Sequence, residues 1–311
     1  MSADIGARYR PTTLVSFATQ EFKQQQICLS SSAINVGIDY VACWNEHRLR
    51  KERFFTKHSD IFGHKIGFGC WLWKPYIINY ELARIPDGAF LIYWDVGRRS
   101  YAHRFEQSPQ PLLAWCVENN DGILPGVYIP QYGPNKHWTK RDCFVAMNCD
   151  SPEYWDHPQV QATFSIWEKN RKTIEFINEW LIWCERPEVI TDVPNRLGLP
   201  NFDGFVVHRH DQSVLTNLVI KYKLKCFGDA KTTLSGDKDI NNLIDYVCGE
   251  IYRIKRREFR KRLHIRAKKL TDPAWWHRNI KRVMSGDILQ RPLLRAMRAA
   301  AAFSAHNSQP R

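Results

Sequence analysis

The sequence predicts an α/β fold in which a mainly parallel sheet is flanked by helices and followed by a basic helical extension. β-branched and aromatic runs of strand length recur in the first 100 residues, and polar segments long enough for helices separate them. A third observation, the charge of the last 61 residues, sets the extension apart.

Three strand-like runs lie in the first third of the chain: Thr12–Thr19, Asp39–Cys43 and Ala89–Trp94. A polar stretch, Gln20 to Ser32, separates the first two. Pro75 suits the first turn of a helix that we expect to run to about Ile85, because the N–H that proline lacks would be unpaired there.

The second half reads as loops and amphipathic helices. Residues 121–155 are rich in Pro and Gly and predict loops. From Pro158 to Cys184 apolar residues recur at helical spacing, which predicts one long helix opening at Pro158. Further helices are expected over Val214–Tyr222 and from Ile240 into the basic segment.

The charge divides the chain into two regions. Residues 251–311 hold 17 Lys and Arg against 3 Asp and Glu, whereas residues 1–250 hold 28 against 29. We therefore expect a globular domain over 1–250 and a basic extension over 251–311. Such an extension suits an anionic membrane surface; nucleic acid is the alternative polyanion, but no recognition module accompanies it.

Several classes of protein gain no support. No apolar run approaches the roughly 18 residues of a membrane span, and the first ten residues lack a secretory signal, so we expect a cytoplasmic protein, peripheral at the inner face of the membrane. Nine cysteines without a CxxC pair predict reduced thiols. P-loop, GxGxxG and Ser-His-Asp patterns are missing, which disfavours kinases, Rossmann oxidoreductases and serine hydrolases.

Five short motifs follow one another in the chain: Val15–Thr19, Gly67–Pro75, Leu91–Gly97, Trp138–Asp142 and His208–Ser213. In this order they resemble a group of mostly uncharacterised bacterial proteins related to nucleotide-sugar glycosyltransferases of the GT-A fold. The resemblance covers roughly residues 12–230. It implies transfer of a sugar from a nucleotide sugar to a glycan or lipid-linked acceptor, in the synthesis of cell-surface polysaccharide. The alternative is an inactive relative that binds a nucleotide sugar without turnover, because the second Asp of the family's Asp-x-Asp is missing.

The resemblance implies donor-binding residues at the first two motifs. The nucleotide would lie at the end of the first strand, at Phe17, Ala18 and Thr19. Lys74 would reach a phosphate; its alternative is a surface position beside Pro75.

The third motif departs from the family pattern. An Asp-x-Asp there holds Mn²⁺ or Mg²⁺ on the donor diphosphate, but this chain has Gly97 in place of the second Asp. Asp95 would bind the ribose, or bind metal with help from elsewhere; otherwise it only caps a turn. Arg98 or Arg99 would stabilise the leaving diphosphate without metal, because guanidinium matches phosphate geometry.

The fifth motif is the candidate catalytic segment. By the resemblance, Asp211 orients a sugar hydroxyl or accepts the acceptor's proton, and Gln212 binds the sugar. His208 and His210 would bind metal or phosphate, since alternate residues of an extended segment face one way. The alternative is an ordinary helix N-cap at Asp211 to Ser213.

The fourth motif supplies Lys140, Arg141 and Asp142 as candidate ligands of the acceptor or the diphosphate. An exposed charged turn is the alternative. Trp71, Trp73 and Trp138 are candidate stacking platforms for a sugar or base, although most of the tryptophans belong to the core.

Overall fold

The computed structural model describes residues 9–96, 103–228 and 238–248. Its strands are β1 (Thr12–Ala18), β2 (Tyr40–Asn45), β3 (Phe90–Trp94), β4 (Ile123–Leu124), β5 (Val127–Tyr128), β6 (Val160–Gln161) and β7 (Phe164–Glu168).

Helices of three turns or more surround the sheet: α1 (Lys23–Asn35), α6 (Trp73–Leu82), α7 (Gln110–Asn120), α10 (Arg171–Cys184), α12 (Asp211–Lys221) and α13 (Lys238–Cys248). Shorter helices are α2 (Glu46–Arg50), α3 (Arg53–Lys57), α4 (Ser59–Phe62), α5 (Gly67–Cys70), α8 (Arg141–Ala146), α9 (Pro152–Trp155) and α11 (Pro187–Ile190). Single 3₁₀ turns occur at Gln20–Phe22, Pro130–Tyr132 and Asn135–His137.

The central sheet has the strand order β2-β1-β3-β7-β4. β1 pairs in parallel with β2 and β3, whereas β7 is antiparallel to both of its neighbours. Four strands therefore share one direction and β7 is reversed. This mixed α/β architecture, with a mainly parallel sheet flanked by helices, confirms the α/β part of the predicted fold class.

The alternation of side chains along the strands produces a core on each face of the sheet. Val15 and Leu91 face one apolar cluster, to which α6, α10 and α12 contribute. Leu14 and Ile92 face the other, with α1, α7 and α13. Because both faces are covered, all seven residues of β1 and all five of β3 are buried.

The prediction of one helix from Pro158 to Cys184 is wrong. Residues 160–168 form β6 and β7, and the helix begins at Arg171, capped by the Asn170 side chain, which accepts the Thr173 N–H at 2.9 Å. Strand β7 lies between two strands and is buried on both faces, so its apolar residues do not alternate with polar ones.

The prediction of loops over residues 121–155 is only partly right, because β4, β5, α8 and α9 lie there. The other boundaries are close to those expected. Pro75 lies in the first turn of α6, as predicted, and α12 begins three residues before the predicted Val214. All nine cysteines are free thiols, and seven of them are buried. Residues 251–311 lie outside the described part of the chain. Within that part, no helix is both long and apolar enough to cross a bilayer.

Candidate functional site

A buried lysine that contacts two aspartates forms the centre of the candidate site. Lys74 lies in the first turn of α6, Asp95 follows β3, and Asp211 is the first residue of α12. Lys74 Nζ lies 3.1 Å from Asp211 Oδ2 and 3.6 Å from Asp95 Oδ1, and donates to the Ala162 carbonyl oxygen at 2.8 Å. The fold thus brings together one residue from each of three distant motifs.

The three side chains differ in their access to solvent. Lys74 and Asp211 are each 4% exposed, but Asp95 is 27% exposed. The Tyr93 hydroxyl donates a hydrogen bond to Asp95 Oδ1, and His103 Nδ1 contacts the Asp95 carbonyl oxygen. A ligand approaching this edge of the sheet would therefore contact Asp95, whereas Asp211 acts through Lys74.

Burial and charge together set the protonation of this cluster. Burial raises the pKa of Asp211 to about 6, against the opposing attraction of Lys74. Burial would lower the pKa of Lys74, but the attraction of Asp211 and Asp95 outweighs it and raises this pKa above its ordinary value. Burial and the neighbouring Asp95 raise the pKa of Tyr93 well above the usual range, so Tyr93 remains a hydrogen-bond donor.

The chain enters α6 through a left-handed turn. Five consecutive residues, Gly67 to Trp71, have φ between 51° and 81°, although three of them carry side chains. A left-handed conformation costs about 1–2 kcal/mol for such a residue. The Cys70 N–H donates to the Ile66 carbonyl oxygen at 2.8 Å, and the Trp73 indole N–H donates to that of Gly67 at 2.9 Å. This strained turn ends three residues before Lys74 and fixes where α6 begins.

Aromatic rings line the end of β1. Phe17 stacks on Trp73 with ring centroids 4.1 Å apart and lies 6.0 Å from the half-buried Phe68. The exposed Arg50 places its guanidinium carbon 4.9 Å from the Phe55 ring centroid and 5.1 Å from that of Phe68. Because Phe17 and Trp73 are buried, the half-buried Phe68 and the exposed Arg50 are the groups here that a ligand could reach.

The other residues expected around the donor have less distinct surroundings. Ala18 is the buried last residue of β1, and Thr19 follows it, half-buried. Trp71 is half-buried with its ring 5.5 Å from that of His210. Arg98 and Arg99, like Gly97, lie outside the described residues.

Gln212 leads into a chain of amide side chains. Its Nε2 donates to Gln159 Oε1 at 2.5 Å, and Gln159 Nε2 donates in turn to Asn135 Oδ1 at 2.8 Å. The Thr139 hydroxyl donates to the same Asn135 oxygen at 2.6 Å, and Asn135 Nδ2 donates to Asn217 Oδ1 at 3.0 Å. This network fixes the half-buried Gln212 beside Asp211.

Lys140, Arg141 and Asp142 contact the chain itself. The buried Lys140 Nζ donates to the Val193 carbonyl oxygen at 2.9 Å, and the Asp142 carboxylate accepts the N–H groups of Arg196 and Leu197 at 2.6 and 3.1 Å. Arg141 pairs with Asp150 at 2.9 Å. Lys140 and Asp142 therefore anchor residues 191–197, so neither is an exposed charged turn.

His208 and His210 also bind the backbone. His208 Nε2 lies 2.8 Å from the Val189 carbonyl oxygen, and its Nδ1 accepts the Lys140 N–H at 3.2 Å. His210 Nδ1 lies 2.8 Å from the Ile190 carbonyl oxygen. Burial lowers the pKa of His208 well below its ordinary value, with a further contribution from His210, so His208 is neutral.

The described residues do not fit Mn²⁺ or Mg²⁺ at Asp95. A hard dication takes several oxygen ligands, but the Lys74 ammonium contacts both Asp95 and Asp211. Within the described ranges, no group of three or more His, Cys, Asp or Glu side chains could hold a metal. His208 has both ring nitrogens engaged with the chain.

Sequence reasoning missed three parts of the site. The sequence motifs assigned no role to Tyr93, to the Ala162 carbonyl oxygen or to the left-handed turn. Gly67 and Gly69 were a usable signal for the turn, because two glycines so close to large rings suggest close packing. A Cβ on Gly67 would lie 2.3 Å from the Trp71 ring, and one on Gly69 would lie 2.5 Å from the Phe62 ring.

No protein-family model matches the chain, and a search of curated proteins found no match.

Proposed function

We propose that the chain is a GT-A-like glycosyltransferase that moves a sugar from a nucleotide sugar to a glycan or lipid-linked acceptor, in the synthesis of cell-surface polysaccharide. The convergence of Lys74, Asp95 and Asp211 at the carboxyl edge of the parallel strands carries this proposal. Ligands of open α/β sheets bind at that edge. The motif resemblance supports the same position.

Asp95 is the proposed group in contact with the reacting sugar. Its carboxylate would accept the proton of the acceptor hydroxyl while that oxygen bonds to the anomeric carbon. The bond from the anomeric carbon to the phosphate oxygen breaks, and the nucleoside diphosphate leaves with the electron pair. We give this role to Asp95 and not to Asp211, because Asp211 is 4% exposed and paired with Lys74.

The aromatic residues at the end of β1 are the proposed nucleotide subsite. The half-buried Phe68 would contact the base with the buried Phe17 packed beneath it, and Arg50, together with Arg98 or Arg99, would bind the diphosphate. A guanidinium held over aromatic rings is already oriented for paired hydrogen bonds to phosphate.

A thermal-shift panel tests the proposal: UDP, GDP and CMP, and their sugars, each with Mn²⁺ and with EDTA. We expect one nucleotide series to raise the melting temperature, because a ligand at 100 times its Kd adds about 2.7 kcal/mol of stability. Free sugars and inorganic phosphate are the controls. The absence of a nucleotide-dependent shift at millimolar concentration would contradict the proposed function.

Polyanion binding by residues 251–311 is a second candidate function, favoured by their 17 basic side chains. In the transferase proposal this segment attaches the enzyme to anionic lipid, where each basic residue near the surface adds about 1 kcal/mol. Nucleic acid is the alternative partner.

Truncation after residue 250 should abolish cosedimentation with phosphatidylserine vesicles, while the nucleotide-dependent thermal shift persists. Equal vesicle binding by the full-length and truncated chains would contradict membrane attachment. Binding of duplex DNA that exceeds vesicle binding at the same salt concentration would favour the nucleic-acid alternative.

A further inference from the structure

We propose that the Lys74 ammonium takes the place of a divalent cation between Asp95 and Asp211 and excludes metal from them. Where it concerns the donor, this inference rests on the proposed function: the transferase would bind and use its nucleotide sugar without Mn²⁺ or Mg²⁺.

Lys74 Nζ makes one hydrogen bond and two ion-pair contacts. It donates to the Ala162 carbonyl oxygen at 2.8 Å, and it lies 3.1 Å from Asp211 Oδ2 and 3.6 Å from Asp95 Oδ1. These oxygens come from three separate segments of the fold. The Lys74 side chain is 4% exposed.

Electrostatics excludes a second cation from the same place. A dication bound to Asp95 and Asp211 would lie within a few ångströms of the ammonium, where two positive charges repel strongly at reduced dielectric.

The composition of the site agrees with this exclusion. Gly97 stands where the family pattern has a second metal-binding aspartate. His208 has both ring nitrogens directed at backbone groups of its own chain.

The proposed exclusion of metal also indicates which part of the substrate lies beside Lys74, Asp95 and Asp211. Two carboxylates and one ammonium leave a net charge of −1, which favours hydroxyl donors over phosphate. Asp95 would then face the sugar or the acceptor. The diphosphate would lie toward guanidinium groups such as Arg50, whose place on Phe55 and Phe68 is independent of the cluster.

Mn²⁺ binding to the full-length chain tests the exclusion without any donor. We expect the Mn²⁺ electron paramagnetic resonance titration of the wild type and of Asp95→Asn to coincide. Binding of one Mn²⁺ that Asp95→Asn removes would overturn the inference. Because this comparison uses the wild type, it stands even if a lysine variant fails to fold.

Removing the Lys74 ammonium should allow Mn²⁺ to bind. We expect Mn²⁺ to raise the melting temperature of Lys74→Met more than that of the wild type. Lys172→Met is the matched control, because it removes the lysine of a surface pair with Asp121 that is 37% and 65% exposed. Equal Mn²⁺ shifts in the Lys74 variant and the wild type, including no shift in either, would overturn the exclusion.

The donor itself provides the last comparison. We expect the nucleotide sugar identified by thermal shift to bind with the same affinity, within twofold, in EDTA and in Mn²⁺. A tenfold loss in EDTA would overturn metal independence. Failure of the proposed function is distinguishable, because it appears as no nucleotide binding in either buffer while the Mn²⁺ comparisons still give a result.

Discussion

Lys74 and Asp211 are buried charges that the fold satisfies in pairs. Breaking a buried ion pair by removing one partner costs about 3–5 kcal/mol, since the remaining charge stays out of water without compensation. Asp211 also gains from its position at the start of α12, where the helix dipole favours a negative charge. The pair therefore fixes the start of α6 against the start of α12 and holds Asp95 at the edge of the sheet.

The buried His208 should make the protein less stable as the pH falls. Its folded-state pKa lies well below the ordinary value of 6.5, so its contribution is present above pH 6.5 and is lost as pH falls below it. Between pH 7.5 and 5.0 the loss is at most about 2 kcal/mol, because only the interval from 6.5 down to 5.0 contributes.

Urea unfolding at the two pH values measures this loss. We expect His208→Gln to be less stable than the wild type at pH 7.5 but to lose less of its stability on acidification to pH 5.0. The comparison isolates His208 because other histidines with lowered pKa, such as His58 and His157, remain in both proteins. An equal loss in the two proteins would show that His208 does not titrate in this way.

Residue-level prediction from the sequence reached part of the site. The motifs named Lys74, Asp95 and Asp211, which the fold brings into contact. It could not predict that Lys74 is buried, because burial depends on the Ala162 carbonyl oxygen and both carboxylates, which distant segments supply. Nor could the sequence distinguish the half-buried Asp95 from the buried Asp211, since that difference arises from packing.

At the scale of elements, the segment 158–184 shows where periodicity fails. Val160, Phe164 and Trp167 have helical spacing, yet they lie on β6 and β7. A central strand is apolar on both faces, so the pattern of its apolar residues fits a helix as well as it fits a strand. The Asn170 cap was the local signal that the helix begins only at Arg171.

The left-handed turn at 67–71 depends on glycine for both conformation and space. We expect Gly67→Ala to destabilise the protein by about 1–2 kcal/mol because alanine disfavours the positive φ of this position. The added Cβ would also lie 2.3 Å from the Trp71 ring, and this clash should cost about 1–3 kcal/mol more.

Gly88→Ala is the matched control, because Gly88 also has a positive φ, of 78°, but no atom lies within 4 Å of its added Cβ. Urea unfolding should therefore give Gly67→Ala a clearly lower free energy of unfolding than Gly88→Ala. Equal destabilisation would mean that the packing of Trp71 on Gly67 contributes nothing.

At the scale of the whole molecule, the topology explains the position of the site. β1 and β3 are parallel neighbours, so Phe17 and Asp95 lie at the same edge, and α6 and α12 begin there. Strand-helix alternation was sufficient to predict a mainly parallel sheet. The alternation did not predict that β7 runs antiparallel to its neighbours, because the residues of β7 had been assigned to a helix.

The most direct measurement is release of nucleoside diphosphate from the nucleotide sugar that the thermal-shift panel identifies. We expect Asp95→Asn to lower the rate about 10²–10⁴-fold while retaining nucleotide binding, because the proton acceptor is lost. Asp87→Asn, which changes a 91% exposed aspartate at the other end of β3, should release it at the wild-type rate. Wild-type turnover by Asp95→Asn would contradict the account.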